Sequence, residues 1–188
     1  MKVYKTIVID PPWKYGRSWD GGSKKSVFDK KYQIPYPMPY PEMTLNEIEA
    51  LPIPMLCDTN CDVYLWATQK YIQDVFPIGT AWGLKYCQTL TWCKTPMGTG
   101  QGGLFTPTTE FLILFRKGRM PIDKKRIDTT WFLIKRTRRH SEKPEYFQEL
   151  IESVSNGPRL EMFARRKRSG WDSWGNEIEN DIEIKDLI

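Results

Sequence analysis

A single-domain α/β fold is what the sequence predicts, on three observations. Apolar runs of strand length recur along the chain, as at Tyr4 to Ile9, Asp62 to Ala67 and Glu110 to Phe115. Segments with helical spacing of apolar residues are interleaved with them, the arrangement that builds a sheet covered by helices. The 188 residues, 40% hydrophobic and 13% aromatic, suffice for one core of ordinary size.

Residues 3–9 form the first predicted strand, which runs into Asp10-Pro11-Pro12-Trp13. Residues 14–43 carry Gly16, Gly21, Gly22 and four prolines without helical periodicity. A loop this long inside a compact domain is usually functional, so 14–43 is expected to be a substrate loop that offers Tyr15, Trp19, Tyr32 and lysines to a ligand. Thr44-Leu45-Asn46-Glu47 has the form of a capping box and starts a short helix before Pro52. Asp62 to Ala67 is a buried strand. Residues 69–82 show helical spacing through Ile72, Val75 and Phe76, with Pro77 expected to kink or divide the helix.

Tyr86–Cys93 and Glu110–Phe115 are predicted strands around a loop that contains Gly98, Gly100, Gly102 and Gly103. No Gly-Lys-Ser/Thr follows those glycines and no helical pattern starts after them, which excludes a P-loop; 95–107 is expected to be a second substrate loop. Trp131–Ile134 is another strand. Pro144 then opens the clearest helix, 144–155, with Phe147, Leu150, Ile151 and Val154 on one face. Arg159–Arg165 is the last predicted core strand, and 170–177 turns back toward the site.

Net charge is +5 and unevenly placed. Residues 116–143 hold eleven Lys or Arg against three acids, whereas 177–188 is expected to be an acidic tail. A concentrated basic segment beside a base-sized site points to a phosphate-bearing partner, a nucleic acid. Cys57, Cys61, Cys87 and Cys93 match no zinc spacing and His140 is the single histidine, so no metal is expected and the thiols are read as reduced. No stretch approaches a membrane span, and a cytoplasmic protein is expected.

The Asp10-Pro11-Pro12-Trp13 turn carries the most specific chemistry. Proline has no backbone N–H, so the turn offers carbonyl acceptors without competing donors. Asp10 adds a carboxylate acceptor, and Trp13 an indole on which a flat base can stack. Such a set suits an exocyclic amino group. Its lone pair is delocalised into the ring, and accepting hydrogen bonds from both N–H groups localises that pair for attack.

Asp10-Pro11-Pro12-Trp13, His140-Ser141-Glu142-Lys143-Pro144, Leu160 through Arg165, and Trp174-Gly175-Asn176-Glu177 occur in the order of the MT-A70 family of N6-adenine methyltransferases, which this chain resembles over nearly its whole length. The resemblance implies a Rossmann-like fold that uses S-adenosylmethionine, in a permuted order with the catalytic strand ahead of the cofactor strand. It implies that Asp10 and the Pro11 carbonyl take the adenine amino group, Pro12 stiffens the turn and Trp13 stacks on the base. Lys143 would pair with the cofactor's carboxylate, Phe163 and Arg165 would line the cofactor with Asp10 nearby, and Asn176 and Glu177 would bind its ribose. Tyr15, Lys94, Arg138, Arg139 and His140 are candidate contacts to the substrate. His140, beside two arginines, is not expected to be a general base.

Only nine residues precede Asp10, which leaves the adenine end of the cofactor pocket unassigned, and the Leu160–Arg165 strand lacks a Gly-x-Gly turn, so the chain carries no glycine fingerprint there. DNA is the expected polymer. The alternatives are RNA adenosine or cytosine N4 methylation, or a non-catalytic nucleic-acid-binding partner subunit. The aspartate favours adenine, and the intact acidic and aromatic members of the motif favour an active enzyme.

Overall fold

A computed structural model describes residues 2–14, 41–95, 104–121, 124, 126–137 and 142–184. Its strands are β1 (Tyr4–Ile9), β2 (Cys57–Thr68), β3 (Lys85–Thr95), β4 (Thr109–Lys117), β5 (Trp131–Lys135), β6 (Arg159–Met162) and β7 (Trp171–Trp174). They form one sheet in the order β5-β3-β4-β2-β1-β6-β7. β4 pairs antiparallel with both β2 and β3, and the other pairings are parallel.

The sheet is buried on both faces because its strands alternate two apolar sets. Ile7, Ile9, Val63, Leu65, Ile113, Phe115, Leu160 and Met162 share one core with Ile48, Ile53, Val75 and Ile78. These last four come from α1 (Leu45–Glu49), α2 (Ile53–Leu56) and α3 (Val75–Ala81). Val8, Tyr64, Trp66, Trp92, Leu112 and Phe132 face the other way onto Phe147 and Ile151 of α4 (Tyr146–Val154). No helix among the described residues is long and apolar enough to cross a membrane.

This order places the site. From β1 the chain moves to β2 on one side, and from β6 it moves to β7 on the other, so the order reverses between β1 and β6. Ligands of open α/β sheets bind in the crevice at such a point, beyond the carboxyl ends of the strands. Because β4 runs against its neighbours, its first residues lie at that same edge, with Glu110 opposite Thr68 at the end of β2.

The capping box on α1 is present: Thr44 accepts from the Glu47 N–H and the Glu47 carboxylate accepts from the Thr44 N–H. Other elements differ from expectation. The helix predicted over 69–82 is confined to α3, with turns over 69–74. Pro77 is its third residue, where a backbone N–H has no intrahelical acceptor to lose, so it neither kinks nor divides the helix. β6 stops at Met162, short of the predicted Arg165, because Phe163 adopts φ 62°. β2 begins five residues ahead of the predicted Asp62, and α2 and β7 were not anticipated. The expected loops 14–43 and 95–107 fall largely outside the described residues. The acidic segment is held against the body as far as it is described: Ile184 is buried, Ile182 packs on the same core, and the Asp181 carboxylate accepts from the Ser173 N–H at 2.9 Å.

Gly79 lets α3 lie against β4. A methyl group placed there would meet the buried Phe115 ring at 2.3 Å. Gly79→Ala is expected to destabilise the protein by about 1–3 kcal/mol through overpacking, measured by urea denaturation; an unchanged midpoint would contradict this packing.

Candidate active site

β1 delivers Asp10 to the crevice, and the next three residues form a tight turn. The Trp13 N–H donates to the Pro11 carbonyl at 2.9 Å, and the Met43 N–H donates to the Pro12 carbonyl at 2.8 Å. Pro11 keeps its second lone pair for a ligand. The Trp13 indole is held by its own contacts: Nε1 donates to the Trp66 carbonyl at 3.2 Å, and the ring stacks on Tyr71 with centroids 4.8 Å apart. It is 4% exposed and lines the cleft as a fixed wall, with one face covered by Tyr71.

Lys143 occupies the centre of the site. Its Nζ donates to both Asp10 carboxylate oxygens, at 2.8 and 2.7 Å, lies 3.4 Å from Glu110 Oε2 and sits 5.3 Å from the centre of the Trp66 ring. Glu110 is paired in turn with Lys94. Carboxylate and ammonium therefore alternate, Asp10–Lys143–Glu110–Lys94, across the edge of the sheet. The Lys143 side chain is 9% exposed and that of Asp10 31%.

Burial and charge set the protonation states. Loss of hydration pushes Asp10 above the ordinary aspartate value, against the opposing pull of Lys143. Burial would lower Lys143, but Asp10 and Glu110 more than reverse that and hold the ammonium above the ordinary lysine value. Burial would raise Glu110, and its two lysines hold it below the ordinary glutamate value instead.

The opposite wall comes from the ends of β6 and β7. Phe163 takes a left-handed conformation, uncommon for a residue with a side chain, and its ring meets Trp174 edge to face at 5.2 Å. The Ala164 N–H donates to the Trp174 carbonyl at 2.9 Å. Only a glycine fits next, because a Cβ on Gly175 would lie 2.1 Å from the Ala164 carbonyl oxygen. This close approach brings Asn176 and Glu177 to the cleft, where Glu177 pairs with Arg165 at 2.8 Å.

The cleft has a volume of about 180 Å³. Asp10, Pro11, Pro12, Trp13, Lys143, Phe163, Arg165, Asn176 and Glu177 all line it, although they come from four separated stretches of chain. Lys94 does not line it but orients Glu110. Tyr15, Arg138, Arg139 and His140 lie outside the described residues. Glu110 and Trp66 were missed as site residues. For Glu110 the signal was an isolated acid heading the apolar run Phe111 to Phe115. Among the described residues no group of three His, Cys, Asp or Glu side chains could hold a metal.

An open sheet with this acidic turn at its switch point defines a Rossmann-like methyltransferase, and the comparisons agree. The MT-A70 family model matches residues 4–177. The type II methyltransferase M.MunI of Mycoplasma sp is 30% identical, over 97% of this chain and 82% of its own length. The human N(6)-adenine-specific methyltransferase METTL4 is 28% identical over 94% of this chain, which spans 38% of it. An Arabidopsis thaliana N(6)-adenosine-methyltransferase MT-A70-like protein is also 28% identical, with 24% of its length covered. The chain belongs to the MT-A70 family, a class of N6-adenine methyltransferases.

The Glu110 pairing has a pH signature. Its depressed pKa contributes stability that is fully present above about 4.5, the ordinary glutamate value, and is lost as pH falls through the native one. Glu110→Gln is expected to cost stability at pH 7 and progressively less below 4.5, as the native side chain itself becomes neutral. Urea denaturation at stepped pH reads this, and an equal cost at pH 7 and pH 3 would contradict it.

Proposed function

We propose that the protein transfers a methyl group from S-adenosylmethionine to the N6 amino group of adenine in DNA. The observation that carries the reading is the acceptor pair, the Asp10 carboxylate and the Pro11 carbonyl, at the mouth of a cleft that also holds a buried ammonium. Similarity to a type II methyltransferase over most of both chains supports DNA as the polymer.

The donor set fits the cofactor. Lys143 is a buried cation for its carboxylate, Asn176 and Glu177 are hydrogen-bonding partners for ribose hydroxyls, and Phe163 and Ala164 line the same cleft. When bound, S-adenosylmethionine supplies a methyl group on positively charged sulfur. The residues do the rest. Asp10 and Pro11 accept the two N–H groups of the target amine, draw its lone pair out of the ring and stabilise the positive charge that develops on nitrogen. Trp13, clamped by Tyr71 and Trp66, fixes the position of the base.

Each Asp10 oxygen accepts one bond from Lys143 and keeps a lone pair for the amine. The same ammonium also serves the ligand carboxylate, with Glu110 beside it. The target base must leave its stack to reach this edge, so it enters flipped or single-stranded.

Wild-type protein with labelled cofactor is expected to yield N6-methyladenine from DNA after nucleoside digestion. Asp10→Asn is expected to lower turnover by about 10²-fold or more, with cofactor affinity little changed. Full turnover in that variant would overturn the role of Asp10, and methylcytosine or label in RNA alone would overturn the substrate.

A further inference from the structure

We propose that Arg136 binds a backbone phosphate of the nucleic acid next to the target base, an inference that rests on the nucleic-acid reading above. Arg136 follows the carboxyl end of β5, and its N–H donates to the Thr95 carbonyl at the end of β3 at 2.9 Å. It therefore stands on the same edge of the sheet as the cleft, two strands from Glu110, roughly 10 Å across, and beyond the level of Glu110 by the four residues from Phe132, roughly 13 Å along the strand. The next residue ties this position to the site. Thr137 Oγ1 donates to the Glu142 carbonyl at 3.1 Å, which ties the residue after Arg136 to the residue before Lys143. Arg136 and the central ammonium of the site are thus held at the two ends of one clasp.

The side chain lacks what its neighbours have. Lys143, Lys94 and Arg165 are each paired with a carboxylate. The guanidinium of Arg136 makes no ion pair among the described residues, and its Nε is buried without an acceptor. Arg159 also has an unpaired Nε, but its Nη2 donates to the Glu152 and Ser155 carbonyls. Guanidinium has five donors and no acceptor, and a buried donor without a partner is costly, so an unpaired one next to a functional cleft calls for an anion. A phosphodiester supplies it, with oxygens spaced for two parallel N–H contacts. A phosphate contact anchors the strand without reading its sequence, which the adenine acceptors require of a residue beside them.

The test measures fluorescence anisotropy of labelled single-stranded oligonucleotides, DNA and RNA, with and without adenine, across a salt series. Wild type, Arg136→Gln and Arg136→Lys are compared, and cofactor binding and thermal melting report that each is folded. Arg136→Gln is expected to weaken binding roughly ten-fold, by the same factor with and without adenine. It should also flatten the slope of log K against log salt by about 0.7, the value of one single-strand phosphate contact. Arg136→Lys should keep the wild-type slope. Wild-type affinity and slope in Arg136→Gln would overturn the proposal while leaving the nucleic-acid reading in place. Failure of the wild-type protein to bind any oligonucleotide would overturn both.

Discussion

The alternation Asp10–Lys143–Glu110–Lys94 is the constraint on which the site depends. Two carboxylates this close to one another in a half-dry crevice repel, and either one alone would be neutralised by burial. The lysines between and beside them keep Glu110 ionised and leave Asp10 poised, its pKa raised by lost hydration and restrained by Lys143. Asp10 is thereby kept as a strong acceptor at a place where water would otherwise compete for it. Lys143 is kept charged where its hydration has been lost.

The fold exists to bring these groups to one edge. Asp10 follows β1, Glu110 opens β4, Lys94 is near the end of β3 and Lys143 precedes α4. Parallel pairing puts the ends of β1, β2 and β6 together, and β4, antiparallel to both β2 and β3, brings its own start and the end of β3 to the same edge. The switch between β1 and β6 opens the space, and the Gly175–Ala164 approach closes its far wall. Trp66, under the Lys143 ammonium and edge to face with Phe147 at 4.9 Å, couples the site to the α4 side of the core.

Much of this was legible in the residues, for physical reasons. Strand runs such as Ile7 to Ile9 and the α4 face through Phe147 and Ile151 declare themselves by period, and Thr44-Leu45-Asn46-Glu47 by its cap chemistry. The acceptor turn declared itself because two prolines after an acid remove donors. Glu110 did not, since a side chain three strands of sequence away from Asp10 becomes its neighbour only through sheet order. The direction of β4 carries no local signal. Pro77 looked like a helix breaker because its tolerance depends on where the helix starts, and that start is set by packing of Val75 and Ile78 on the sheet. β7 was hidden because four residues, Trp171 to Trp174, are too few to show an alternation.

In the proposed reaction one ammonium serves two carboxylates, that of Asp10 and that of the cofactor. The most direct measurement is calorimetric titration of wild type and Lys143→Met with S-adenosylmethionine and with 5′-methylthioadenosine, which keeps the nucleoside and sulfur but lacks the carboxylate arm. The expected result is a preference of roughly ten-fold or more for S-adenosylmethionine in the wild type, abolished in the variant with 5′-methylthioadenosine affinity retained. The same preference in Lys143→Met would contradict the account, because the carboxylate would then be bound elsewhere and Lys143 would serve Asp10 alone.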